Sequence, residues 1–180
     1  PSNISELYQM VSKKLECPSG PTLILMPYGP VENNLKLDKE IDFDMEDCDI
    51  VSDKYKDGVI FTVGNKLEDC KKVISLLAEK SLDYGIVNIR KLKPLPIKSI
   101  KKIIENTDNI VTIEESILEG GFGSSMSSII HKLKFRKNLL QIGLPCKFIE
   151  AGSNQELSKE YELDPNSICE KIIKNLNRNA

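Results

Sequence analysis

GVIFTVGNKLEDCKKVISLLAEKSLDYGIVNIR, residues 58–90, reads as strand, helix, strand. Val59-Ile60-Phe61-Thr62-Val63 is a short apolar and β-branched run, the composition of a strand buried on both faces. Gly64-Asn65 turns the chain, and Cys70, Val73, Ile74, Leu77 and Ala78 then fall on one face of a helix. Tyr84-Gly85-Ile86-Val87-Asn88-Ile89 repeats the strand composition. Strands that alternate with helices predict a mostly parallel sheet covered on both faces.

Downstream the alternation continues. Residues 97–104 read as a helix, Ile110-Val111-Thr112-Ile113 as a strand, 122–133 as a helix and Leu139-Leu140-Gln141-Ile142 as a strand. Residues 154–160 add a short helix, and a final one starts at Pro165 with Asp164 as its N-cap and Ile168, Ile172, Ile173 and Leu176 on its buried face. The expected fold class is α/β: a three-layer domain with a mostly parallel, mixed sheet of about five strands.

Upstream, Ile4, Leu7, Met10, Val11 and Leu15 recur at helical spacing, and Gly20-Pro21 precedes an apolar run, residues 22–26, that reads as a strand. Between 31 and 57 lie Asp38, Glu40, Asp42, Asp44, Glu46, Asp47 and Asp49, the composition of a solvated linker or insertion. This run lacks the glycine and closing glutamate of a calcium-binding EF-hand loop. The compact unit is therefore expected from residue 58 to about 176, preceded by the last elements of a neighbour.

Composition narrows the function classes. The chain has 180 residues, 40% hydrophobic and 29% charged, with a formal net charge of -2. That balance is typical of a soluble protein and makes no electrostatic demand for nucleic acid or an acidic membrane. Cys17, Cys48, Cys70, Cys146 and Cys169 are odd in number and scattered, which suggests neither a disulfide framework nor a CxxC site. No apolar run has the length of a membrane span, and the start, Pro-Ser-Asn-Ile-Ser-Glu, has the look of an excised piece.

Several residues invite a chemical reading. Gly120, Gly121 and Gly123 lie between a strand and a helix, where backbone N–H groups and the helix dipole can hold an anion, or where a tight turn lets backbones approach. The motif is neither a Walker loop nor a dinucleotide fingerprint. Glu114 and Glu115 end a strand, and neighbours on a strand face opposite sides, so they do not form an acid–base pair in one cleft. Arg90 heads Arg90-Lys91-Leu92-Lys93-Pro94-Leu95-Pro96; it suits a phosphate, a partner carboxylate or a solvated surface. His131 is the single histidine and sits in an apolar helix, which favours a structural role.

Taken in order, Val87-Asn88-Ile89-Arg90-Lys91-Leu92-Lys93-Pro94-Leu95, Ile110-Val111-Thr112-Ile113-Glu114-Glu115 and Glu119-Gly120-Gly121-Phe122-Gly123-Ser124 resemble the C-terminal domain of the transketolase superfamily. Within it, Ile142-Gly143-Leu144-Pro145, Phe148-Ile149 and the stretch from Gly152-Ser153-Asn154-Gln155-Glu156-Leu157 to Glu162-Leu163-Asp164 resemble the ending of the 1-deoxy-D-xylulose-5-phosphate synthase family. The β-subunits of 2-oxo-acid dehydrogenases share the arginine and Glu-Glu motifs but not this tail. A non-catalytic scaffold or regulatory relative is the alternative of another class.

The resemblance implies a division of the chain: 1–30 as the end of a pyrimidine-binding domain, 31–57 as the acidic linker or insertion, and 58–180 as the transketolase C-terminal-like domain. It implies thiamine diphosphate and Mg²⁺ in the full-length enzyme, held by the preceding domains through a Gly-Asp-Gly motif that this chain lacks. No cofactor or metal is expected on this chain alone, and no catalytic residue. Partners would be the remaining domains and a second copy, in a plastid (apicoplast-like) or the bacterial cytoplasm. Arg90, Glu114, Glu115, Gly120, Gly121 and Gly123 would support the interface or the site. The chain departs from the synthase pattern at Leu25 and Tyr28, where arginines stand; Tyr28 would lie near substrate phosphate, which tyrosine cannot hold by charge. Pro96 and Cys146 also stand where acidic residues are usual.

Overall fold

A computed structural model of the chain describes residues 1–16, 20–26 and 48–179. Helix α1 (Ile4–Glu16) is followed by strand β1 (Asp49–Ser52), β2 (Gly58–Thr62), α2 (Lys66–Glu79), β3 (Tyr84–Asn88) and α3 (Ile97–Ile104). Then come β4 (Asn109–Ile117), α4 (Phe122–Lys132), β5 (Asn138–Leu144), α5 (Asn154–Glu160) and α6 (Pro165–Asn179). The five strands form one sheet in the order β1-β3-β2-β4-β5. Four of them are parallel, and β1 pairs antiparallel with β3 at the edge.

The period-two geometry of the strands distributes their apolar residues to two cores. Val59 and Phe61 of β2, Val87 of β3 and Ile110 of β4 face the layer formed by α3 and α4. Ile60, Ile86, Val111 and Ile113 face the opposite way, onto α2 and α6. Both faces are covered, which is why these strands read as unbroken hydrophobic runs. The helices present matching stripes: Cys70, Val73 and Leu77 on α2, and Ile168 and Ile172 on α6. Each fully buried side chain of the size of Phe61 or Ile60 contributes on the order of 1.5–3 kcal/mol by leaving water.

Caps set the ends of the C-terminal helices. Asp164 accepts hydrogen bonds from the backbone of Asn166 (3.1 Å) and Ser167 (3.2 Å), as the sequence suggests. The α5 cap is a reciprocal Ser153–Glu156 capping box that the sequence reading does not single out, although the Ser-x-x-Glu signature is present. Gly64 turns with a φ of +63°, the left-handed conformation a glycine tolerates.

The structure differs from the sequence reading in three elements. Residues 22–26 carry neither helix nor strand, and Leu23, Leu25 and Met26 are exposed. An apolar run becomes a strand only where a neighbour completes its hydrogen bonds, and no described strand lies beside it. The stretch read as linker, 31–57, contributes β1 at its described end: Asp49 and Ile50 pair with Asn88 and Val87, with a bulge before Ser52. β4 also runs two residues beyond Glu115, where the sequence reading ends it, to Ile117.

Candidate functional site

From β2 the chain crosses by α2 to β3 on one side, and by α3 it returns to β4 on the other, so β2 and β4 are neighbours at a reversal of winding. In open α/β sheets a crevice forms outside the carboxyl ends of such strands. Here it is a groove of about 300 Å³, open to solvent. Val63, Leu92, Leu95, Ile117 and Phe122 form its apolar walls, and Glu114, Ser116 and Glu119 its polar side.

The floor of the groove is built around Glu114, whose side chain is buried. One carboxylate oxygen accepts from the backbone N–H of Gly123 at 2.7 Å. The other accepts from the N–H of Phe122 at 2.7 Å and from the Ser116 hydroxyl. The start of α4 therefore does hold an anion, and the anion is the chain's own carboxylate. The N–H groups that the sequence offers to a phosphate are already satisfied, and the negative charge sits where the helix dipole favours it.

This arrangement accounts for the glycines. Gly120 has a φ of +77° and begins the turn, donating its N–H to the Ser124 hydroxyl, which in turn donates to Leu118 O. A Cβ on Gly121 would overlap the Ile117 carbonyl oxygen and the Glu114 carboxylate. A Cβ on Gly123 would come within 2.7 Å of Thr112 Oγ1 and 2.8 Å of Gln141 Oε1. Ser116, the third partner of Glu114, was legible in principle, since residues two apart on a strand share a face. Glu115 points away, as expected, and accepts from Asn65 Nδ2 at 2.5 Å on the surface.

Arg90 is not in the groove, nor is it solvated. Its Nε donates to Glu6 Oε1 at 2.5 Å and its Nη2 to Asp49 Oδ2 at 2.9 Å, with the arginine and Glu6 side chains only 9% and 6% exposed. Asn88 Nδ2 donates to the same Glu6 oxygen at 3.1 Å, and Ser2 N–H to the other. Of the three partners the sequence allows, this arginine takes carboxylates, both from its own chain. His131 is exposed near the end of α4, away from the groove lining. Tyr28 lies outside the described residues.

The buried carboxylate has a measurable consequence. Burial by itself pushes the Glu6 carboxyl up, but hydrogen bonds from Arg90 and Ser2 and the Arg90 charge outweigh it and hold it below its ordinary value of 4.5. A depressed carboxyl contributes stability above the unfolded-state pKa and loses it as pH falls through the folded-state value. The stability gap between wild type and Glu6→Gln is expected to be widest near pH 7 and to narrow as pH drops below about 4.5, read from urea denaturation at a series of pH values. A gap that stays constant to pH 3 would contradict the pairing.

Burial pushes the Cys70 thiol up to about 12, so it carries no thiolate at neutral pH. Among the described residues no cluster of three or more His, Cys, Asp or Glu is placed to hold a metal ion. No helix there is long and apolar enough to cross a membrane.

Residues 47–168 match the family model described as transketolase, C-terminal domain. The 1-deoxy-D-xylulose-5-phosphate synthase of Dictyoglomus turgidum is 32% identical over 176 residues, 96% of this chain and 28% of that protein. That of Clostridium tetani is 30% identical over 174 residues, 97% of this chain and again 28% of the relative. The chain thus spans less than a third of the length of these curated relatives. Among solved structures, an inactive β4 tetramer of a split-gene transketolase superposes with a TM-score of 0.69 at 20% identity, over 75% of this chain and 44% of that one.

Proposed function

Since the chain belongs to the transketolase C-terminal domain family, we propose that it is the C-terminal part of a 1-deoxy-D-xylulose-5-phosphate synthase. The observation that carries this reading is similarity to such synthases over 96–97% of the chain, including the tail beyond the family match. The enzyme would condense pyruvate with glyceraldehyde 3-phosphate, releasing CO2 and forming 1-deoxyxylulose 5-phosphate for isoprenoid and thiamine precursor synthesis. Its compartment would be the bacterial cytoplasm or a plastid.

In this reading the other domains of the enzyme hold thiamine diphosphate and Mg²⁺, the group that supplies the carbanion chemistry. The residues present do not fit that group: the sequence has no Gly-Asp-Gly, and the helix N-terminus best placed for a diphosphate is filled by Glu114. This region is accordingly assigned packing and dimerisation. Glu114 and the glycines at Gly120, Gly121 and Gly123 would shape a rigid groove for a neighbouring domain or second subunit, Glu115 would support the interface outside the groove through Asn65, and Arg90 would fix the elements leading into it. Tyr28 would lie nearest the substrate. The division at residues 30 and 57 is part of the same proposal, with β1 joined to the C-terminal unit.

The test is an assay of the full-length polypeptide carrying this segment, loaded with thiamine diphosphate and Mg²⁺ and given both substrates, with the 180-residue chain run beside it. Formation of 1-deoxyxylulose 5-phosphate by the longer protein alone is the expected result. A folded, cofactor-loaded parent that makes none would overturn the synthase reading in favour of a non-catalytic relative, which the departures at Leu25 and Tyr28 would then explain.

A further inference from the structure

The Arg90 cluster and the groove lie at two ends of one short segment. Residues 90–96 form neither helix nor strand. Arg90 is held by carboxylates at the start of this segment, and Leu92, Lys93 and Leu95 form one wall of the groove. The carboxylates come from the two most peripheral elements described, α1 and β1. β1 pairs with a single neighbour, β3. In α1 the fully buried residues are Glu6 and Met10, while Tyr8, Val11 and Leu15 are exposed. α1 is therefore seated by Met10, the half-buried Ile4 and Leu7, and the Glu6 ion pair.

From this geometry we infer that Arg90 is a positioning residue that couples the docking of α1 and β1 to the shape of the groove wall at Leu92–Leu95. If α1 lifts away, Glu6 leaves with it, and the buried guanidinium loses its nearest and most buried carboxylate, keeping Asp49, whose side chain is 32% exposed. Arg90 is then drawn toward Asp49 and the water beside it, and the wall begins two residues later. Seating of α1 and order in residues 89–96 thus form one cooperative unit of local opening. The coupling is reciprocal: anything that fills the groove and holds Leu92 and Leu95 in place also holds α1 down. The inference stands on contacts within this chain and does not depend on the synthase reading.

Hydrogen exchange of the 180-residue chain, read by mass spectrometry, tests it. Glu6→Gln is expected to speed exchange roughly tenfold both in α1 and in residues 89–96, a typical size for coupling between sites, while the amides of α2 and α6 keep their wild-type rates. Faster exchange in α1 with residues 89–96 unchanged would overturn the coupling. So would a uniform increase that reaches α2 and α6, because it would mark global loss of stability. Should Glu6→Gln fail to fold, Asp49→Asn is the milder variant, since the Asp49 side chain is 32% exposed. It is expected to speed exchange in β1 and in 89–96 together; a change in β1 alone would count against the inference.

Discussion

Glu114→Ala is expected to destabilise the domain by about 3 kcal/mol, because it leaves two buried N–H groups and a hydroxyl without their charged acceptor. In a chain of this length such a loss lowers the melting temperature by roughly 6–12 °C. The neighbouring Glu115→Ala removes an exposed carboxylate with one surface partner and is expected to stay within about 0.5 kcal/mol of wild type. The two variants delete the same chemical group one residue apart, so the contrast isolates the role of the buried one. Urea denaturation with an unchanged m-value is the measurement. If the two variants prove equally stable, the carboxylate does not cap α4 in solution.

The second large effect is steric. Gly121 has φ and ψ of -72° and -171°, extended backbone that any residue adopts, so Gly121→Ala costs nothing in conformation. Its methyl group, however, meets a backbone carbonyl and the fixed Glu114 carboxylate, neither of which can swing aside. The expected loss is about 2–3 kcal/mol, the range of overpacking. Gly123→Ala meets the buried Thr112 hydroxyl as well as the Gln141 side chain, of which only the second moves easily, and alanine in a helix regains about 1 kcal/mol over glycine. Gly123→Ala is therefore expected to lose about 1–2 kcal/mol, less than Gly121→Ala. Chemical denaturation of the two variants side by side decides the matter. A Gly121→Ala protein as stable as its parent would mean that Glu114 and the turn can relax together.

Such effects were only partly legible in the sequence. Period two was enough to send Glu114 and Glu115 to opposite sides, and the glycines flagged a strand-to-helix turn. That Glu114 would fill the turn was not legible, because it depends on β4 running on to Ile117 and the chain then returning to bring Phe122 and Gly123 over the carboxylate. Arg90 finds Glu6 across 84 residues of sequence, a separation at which local pattern carries no information. The alternating core was read well because each strand and helix declares its own period. β1 was missed because only two residues of strand composition, Ile50 and Val51, sit at the end of an acidic run that dominates any window of useful length. The apolar run at residues 22–26 misled for the converse reason, having the composition of a strand without a partner.

The small size of β1 also bears on how this protein avoids sticking to itself. β3 is one of the most apolar strands of the sheet, and without β1 its outer edge would offer a row of unpaired backbone groups to any passing chain. Four bulged residues, with Asp49 among them, cover that edge and are too short and irregular to recruit another strand in turn. A version of the domain trimmed to begin at Gly58 would keep its two cores and lose this cover, and would be more prone to edge-to-edge aggregation than the chain that carries β1.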